Sequence, residues 1–273
     1  MDERFMGQPV CAGAAADPWK AWPAPAKLNL FLHITARRAD GFHELQTLFQ
    51  FLDYGDLLDF EPTDDGRITA SHVLPGVAMD DDLTVRAARR LRDLAAPGRG
   101  VRIHVHKRVP MGGGLGGGSS DAATTLVALD HLWHTGLGRD ELARLGLELG
   151  ADVPIFVHGK AAWAEGVGER LSPVDPPEPD YLVIHPGVHV ATGAIFGHPG
   201  LTRDCPAITM PDFISGRAVN VCEPVVRSLH PEVARALDWL EHQGLAGRMT
   251  GTGSCVFAAC ASREQGLQVL DGL

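Results

Sequence analysis

Six glycines crowd the seven positions Gly112-Gly113-Gly114-Leu115-Gly116-Gly117-Gly118, and Ser119 and Ser120 follow at once. Glycine tolerates positive φ and lets a ligand approach the main chain closely. The N-terminus of a following helix offers an anion unpaired N–H groups and a positive dipole end. The chemistry expected of this run is the cradling of phosphates. Before it, Val101, Ile103 and Val105 alternate with Arg102, His104 and His106, as in a half-buried strand; after it, Ala122, Leu126, Leu129 and Trp133 recur at helical spacing until Gly136. A flexible linker would not be clamped between two such patterned elements.

Other glycine loops need side chains that are missing here. Gly113 to Gly118 has the spacing of G-x-x-x-x-G-K-[ST], but Ser119 stands where the phosphate-binding lysine belongs. Gly112, Gly114 and Gly117 formally satisfy G-x-G-x-x-G, yet about 20 residues further on Asp140 and Glu141 open a helix instead of closing a strand. No H-R-D or D-F-G partner of a protein-kinase loop occurs. A second glycine turn, Gly251-Thr252-Gly253-Ser254, precedes the apolar strand Val256 to Cys260 and reads either as a loop over a ligand or as a tight turn.

Positioning these groups requires strands and helices. Leu28, Leu30, Leu32 and Ile34 alternate with Lys27, Asn29, Phe31 and His33, so a strand with one face in the core is expected, with Lys27 and Asn29 side by side on the other. Helices are expected at Leu83 to Leu94, at Leu142 to Leu149 ended by Gly150, and between Pro231 and Gly244. Asp152 falls in a turn before the apolar run Val153 to Val157, where a carboxylate can project into a cleft. Strands and helices do not alternate regularly, which points to α+β layers. The Pro-rich stretch Ser172 to Asp180 is the best internal boundary, and residues 1–21 read as a disordered extension, since Asp2 and Glu3 sit where a signal peptide carries basic residues.

Composition narrows the classes. The chain has 273 residues, with 24 basic and 34 acidic side chains, a net charge of −10. That balance argues against a nucleic-acid or acidic-membrane surface, so a polyphosphate site must supply its positive potential locally. Five cysteines without a C-x-x-C pair fit reduced thiols and a cytoplasmic location. No apolar run approaches the 18 or so residues of a membrane span. Neither the thirteen histidines nor Asp80-Asp81-Asp82, read as a solvated loop, forms a metal-ligand pattern.

The run P-M-G-G-G-L-G-G-G-S-S-D-A-A resembles the phosphate loop of the superfamily named for galactokinase, homoserine kinase, mevalonate kinase and phosphomevalonate kinase, the GHMP kinases. Pro25-Ala26-Lys27-Leu28-Asn29-Leu30 and Thr250-Gly251-Thr252-Gly253-Ser254-Cys255-Val256-Phe257 resemble its two other motifs in order and spacing. Arg38 to His43, Leu45 to Gln50, Leu149 to Pro154, Ala164 to Glu169 and His185 to Gly187 narrow the resemblance to the kinases of a cytidine-diphosphate-linked methylerythritol.

The resemblance implies an α+β fold of two lobes. The first, residues 22–172, would be ribosomal-protein-S5-domain-2-like and bind ATP; the second, residues 173–273, would be ferredoxin-like. It implies ATP as phosphoryl donor with Mg2+ brought by the nucleotide, Asp152 as catalytic base and Lys27 as its partner. It assigns Lys107, Pro110, Gly112, Gly113, Gly114, Leu115, Gly116, Gly117, Gly118, Ser119, Ser120 and Asp82 to the nucleotide, one serine hydroxyl lying near the metal. Asn29, Phe42, His43, Thr192, Phe196 and Gly253 fall to the substrate, with Phe42 and Phe196 as opposite walls of a base pocket. Phe42 replaces the family's usual tyrosine, and Asp82 stands near the adenine where the family often has asparagine. The family usually continues through one more strand after the helix that Ser262 to Gln265 would open, so a sheet edge is expected there. The expected partner is a small-molecule substrate acting on a monomer or weak homodimer, with no nucleic acid and no membrane.

Overall fold

The computed structural model describes residues 17–272. Residues 1–16, most of the expected extension, lie outside the described residues. Residues 17–21 form a hydrogen-bonded turn: Ala21 N–H donates to Asp59 Oδ1 (2.8 Å), Phe60 N–H donates to the Trp19 carbonyl (2.7 Å), and the Trp22 indole donates to the Pro18 carbonyl (2.8 Å). This part of the expected extension is therefore tied down.

The chain forms two compact units, each assembled from separate stretches. Two long strands, β1 (Trp22–Arg37) and β2 (His43–Thr63), contribute to both. The grouping is thus interleaved along the sequence, whereas the expected division makes a single cut near Ser172.

The first unit takes the described residues up to Lys27, then 51–109 and 116–160. In it β2 pairs antiparallel with β4 (Gly100–His106), from Leu57 opposite His106 to Thr63 opposite Gly100, and β3 (Ile68–Ala70) pairs parallel with β4. Helices α1 (Leu83–Ala95), α2 (Gly117–Trp133), α3 (Arg139–Leu147) and α4 (Val153–His158) complete it. Helix α2 packs against α1 and α4 and is buried on nearly all sides. Ala122, Ala123 and Ala128 keep it slim there, while Leu126 and Leu129 fill the surrounding space. It ends at Trp133, with His134 in the left-handed region, a turn earlier than Gly136 suggests. The apolar run Val153 to Val157 is helical because Pro154 is pre-organised for a first turn.

The second unit takes 28–50, 110–115 and the chain from Ala161. Here β2 pairs antiparallel with β5 (Ala162–Gly166), Leu45 opposite Gly166 and Phe49 opposite Ala162, and β5 pairs with β6 (Arg170–Pro173). A three-stranded sheet orders β7 (Asp180–Ile184), β9 (Val256–Cys260) and β8 (Arg248–Met249) as β7-β9-β8, so β7 and β8 are its edges. Helices α5 (Thr192–Gly197), α6 (Met210–Ile214), α7 (Glu223–Leu229), α8 (Pro231–His242) and α9 (Arg263–Leu270) flank these strands. Val226, Val233, Leu237, Leu240, Met249 and Val256 lie at the centre of the core.

Strand β1 departs from the alternating expectation. Every residue from Leu28 to Ile34 is buried, Asn29, Phe31 and His33 included, so neither face meets solvent. Among the described residues no helix is long and apolar enough to cross a membrane.

Candidate active site

In the first unit, Lys27 Nζ lies 3.3 Å from Asp152 Oδ2, with the lysine side chain 3 % exposed and the aspartate 37 %. The structure brings this expected pair together. Asp152 occupies the N-cap position of α4, where an aspartate ordinarily accepts from the N–H groups of the first turn. Its side chain makes no such bond, and the carboxylate meets the ammonium instead.

Beside this pair stands the start of α2. Gly116 is the N-cap residue, with φ +74° and no side chain to cap the helix. A Cβ there would lie 2.7 Å from the Phe156 ring and 3.1 Å from Lys27 Cε, so only glycine permits this packing. Ser120 N–H donates to the Gly116 carbonyl (2.9 Å); the first-turn N–H groups of a helix have no intrahelical partner and carry the positive end of its dipole. Ser120 Oγ and Asp121 Oδ1 are buried with no hydrogen-bond partner among the described residues.

Lys107 is held between two buried carboxylates, 2.7 Å from Asp56 Oδ2 and 2.7 Å from Asp121 Oδ2. Asp56 Oδ1 also accepts from the Arg108 and Val109 N–H groups, which pins the chain leaving β4. The cluster holds one cation against two acids. Burial pushes the Asp121 carboxyl up to about 7, against the pull of Lys107 and with help from the Asp56 charge. The same two carboxylates raise Lys107 despite its own burial.

Asp82 is placed differently from the solvated loop expected of Asp80-Asp81-Asp82. It is buried and caps α1: Oδ1 accepts from Thr84 N–H (2.8 Å) and Thr84 Oγ1 (2.6 Å), and Oδ2 bonds His72 Nε2 (2.7 Å). Burial raises its pKa, but the bonds from His72 and Thr84 outweigh it and hold the carboxyl at about 2.

In the second unit, the first half of the glycine run meets the second glycine turn. The Gly113 carbonyl accepts from Cys255 N–H (3.0 Å) and the Gly114 carbonyl from Thr250 Oγ1 (3.3 Å). Gly114 has φ +76°, and a Cβ on it would lie 2.4 Å from the Thr250 carbonyl oxygen and 3.0 Å from that of Gly253. Pro110 is partly buried and Leu115 buried in the same segment. Asn29 N–H donates to Thr250 Oγ1 (2.9 Å), and Asn29 Nδ2 donates to Thr47 Oγ1 (3.0 Å). Thr192 and Thr252 share a hydroxyl bond of 3.0 Å.

The expected base-pocket residues lie in this unit too, with different partners. His43, rather than Phe42, stacks on Phe196, at 5.2 Å between centroids and 25° between planes. Phe42 stands 63 % exposed at the end of the turn begun by Arg38. Burial, and after it the charges of Arg203 and Arg37, lowers the His43 pKa. Arg203 Nε–H donates to His43 Nε2 (3.2 Å). Sequence reasoning missed Arg203 and Asp56, which no motif marks, and it singles out Thr252 only as part of the glycine turn.

A glycine-capped helix start thus stands beside an ion pair of a buried lysine and a part-exposed aspartate. The description "GHMP kinases N terminal domain" matches residues 82–160 and "GHMP kinases C terminal" matches residues 210–273, which together define the class as a GHMP kinase. The 4-diphosphocytidyl-2-C-methyl-D-erythritol kinase of Nitrosococcus oceani is 59 % identical over 249 residues, covering 91 % of this chain and 89 % of that protein. The protein of the same name from Halorhodospira halophila is 57 % identical over 258 residues, covering 93 % and 89 %. A crystal structure of 4-(cytidine 5'-diphospho)-2C-methyl-D-erythritol kinase aligns with a TM-score of 0.79 at 35 % identity, over 92 % of this chain and 93 % of that one. The chain belongs to the 4-diphosphocytidyl-2-C-methyl-D-erythritol kinase family.

Proposed function

We propose that the protein transfers the γ-phosphoryl group of ATP to the 2-hydroxyl of 4-diphosphocytidyl-2-C-methyl-D-erythritol, in the non-mevalonate route to isoprenoids. The observation that carries this reading is the Lys27–Asp152 pair set against the glycine N-cap of α2. Asp152 accepts the hydroxyl proton as the oxygen attacks; Lys27 orients the carboxylate and stabilises the developing alkoxide. The open N–H groups of the first turn of α2, with Gly117, Gly118 and Ser119, bind the phosphates. Lys107 serves the nucleotide indirectly, by fixing Asp121 in that helix and Asp56 under the entering chain.

Magnesium, when bound with the nucleotide, neutralises phosphate charge. The unpartnered Ser120 hydroxyl fits a metal ligand. Among the described residues no group of three or more histidine, cysteine or acidic side chains could hold a metal; an ion that arrives on the nucleotide would retain several waters and need few protein ligands. Phe42, His43 and Phe196 bind the cytosine, with Asn29, Thr192 and Gly253 along the rest of the substrate. The division into lobes at residues 172–173, action in the cytoplasm as a monomer or weak homodimer, and the absence of nucleic-acid or membrane partners belong to the same proposal; the charge of −10 supports the last.

The test is ADP release from magnesium ATP with 4-diphosphocytidyl-2-C-methyl-D-erythritol, homoserine or mevalonate as acceptor. Activity confined to the cytidine substrate and lost in Asp152→Ala supports the reading. Equal or greater activity with homoserine or mevalonate overturns it.

A further inference from the structure

Arg203 lies outside every motif, yet its guanidinium makes four hydrogen bonds around the base-pocket residues. Its Nη2 donates to the carbonyls of Phe196 (2.8 Å) and His198 (2.8 Å), its Nη1 to the carbonyl of Leu201 (3.1 Å), and its Nε to His43 Nε2 (3.2 Å). Three carbonyls at and beyond the end of α5 fix the plane of the guanidinium. The fourth bond joins that plane to the ring stacked on Phe196.

We propose that Arg203 is a positioning residue for base recognition, locking His43 onto Phe196 as the neutral tautomer that carries its proton on Nδ1. This rests on the reading that His43 and Phe196 bind the cytosine. The chemistry follows from the donor inventory. A guanidinium has five N–H donors and no acceptor, so the His43 nitrogen facing Nε must present a lone pair. A neutral imidazole then has its hydrogen on the other nitrogen. The lowered pKa of His43, set by burial and by Arg203 and Arg37, agrees with a neutral ring.

The consequence is a specificity rule. A ring locked in this tautomer offers the substrate one donor and no acceptor. Cytosine presents acceptors at both O2 and N3; uracil keeps the O2 acceptor but its N3 is an N–H donor, so a ring donor that meets N3 accepts cytosine and rejects uracil. The locked ring therefore favours the cytidine nucleotide over its uridine counterpart, and freeing the ring to exchange tautomers weakens that preference. Lysine cannot replace Arg203, because a single ammonium on a flexible stem cannot span three carbonyls and a ring nitrogen as a planar fork does.

Two measurements on the full chain test this. In 15N-histidine-labelled protein at neutral pH, the His43 ring, assigned by comparison with His43→Gln, should show a protonated Nδ1 and a bare Nε2. In Arg203→Lys and Arg203→Gln it should show a mixture. In the kinase assay both variants should raise KM for the cytidine substrate about tenfold or more, with kcat and the KM for ATP changing less than twofold, and the preference over the uridine analogue should shrink. A protonated Nε2 in the wild type overturns the inference, as does an unchanged KM in variants whose ring has lost its single tautomer. Should the wild type fail to phosphorylate the cytidine substrate, the functional reading falls, while the resonance pattern still decides whether Arg203 sets the His43 tautomer. Should Arg203→Gln not fold, Arg203→Lys and the wild-type spectrum carry the test.

Discussion

Asp82 offers a quantitative test, because the structure gives it a load that an adenine contact would not. Its carboxylate caps α1 through Thr84 and bonds His72, with the side chain shut away from water. A carboxyl whose pKa falls from 3.8 in the unfolded chain to about 2 on folding contributes about 2 kcal/mol of stability at neutral pH. The sign follows from the depression: the contribution is complete above about pH 4 and disappears as pH falls from about 4 to about 2. Asp82→Ala removes the charge and the cap together and should cost about 2 kcal/mol at pH 7, within the range of capping losses. Asp82→Asn keeps a capping oxygen and loses the charge, so it should fall between the two. Urea unfolding of all three proteins, followed by far-ultraviolet circular dichroism at pH 7, 4 and 2.5, reads the differences. The gap between wild type and Asp82→Ala should narrow steadily below pH 4. ATP affinity, measured where each variant is fully folded, should change less than twofold. A pH-independent gap, or a gap under about 0.5 kcal/mol joined to a tenfold loss of ATP affinity in Asp82→Asn, would refute the structural assignment and favour the adenine contact.

Three further perturbations bear on the same site. Asp152→Asn should lower kcat by about 10² to 10⁴ with little change in ATP affinity; an unchanged kcat removes Asp152 from the mechanism. Asp121→Asn withdraws the surplus negative charge from around Lys107. Because the Asp121 pKa is raised to about 7, its ionisation opposes folding as pH climbs from about 4 through 7, so Asp121→Asn should gain on the wild type in chemical-denaturation stability between pH 5 and 7. A constant difference across that range would contradict this. Gly114→Ala places a methyl against the Thr250 and Gly253 carbonyls at a positive φ and should destabilise by more than about 1 kcal/mol while sharply reducing kcat/KM. Wild-type melting and activity would show that the two turns do not touch in solution.

The glycine loop was readable because a run of glycines between two periodic elements has few physical alternatives. The helix that follows was readable too, apart from a last turn closed by His134. Lys27 and Asp152 became a pair only through motif resemblance, since no local pattern relates residues so far apart. Val153 to Val157 is too short for helical periodicity to declare itself, and β1 does alternate in sequence, yet its polar face is buried as well, because Asn29 and His33 bond Thr250, Thr47 and the Pro206 carbonyl inside the protein. Asp82 shows how an N-cap looks like a loop acid in sequence: the same residue type serves both, and only the position of His72 decides. Arg203 carried no signal, because its partners are mainly backbone carbonyls.

The interleaving of the two units dictates an order of events during synthesis. All segments of the first unit are complete once Lys160 has been made. By contrast, the Asn29 amide waits for Thr250, 221 residues later. At about 5–20 residues per second the ribosome takes on the order of 10 to 45 s to deliver that partner. Until then Leu32 and Ile34 of β1, which pairs with β2, lack most of the second-unit core that they enter in the finished protein. Apolar strand residues without their core are adhesive, so the nascent chain carries this exposed stretch until its last hundred residues emerge. Rare codons placed after Lys160 would lengthen that exposure and lower the soluble yield, whereas the same codons after β9 would leave it unchanged.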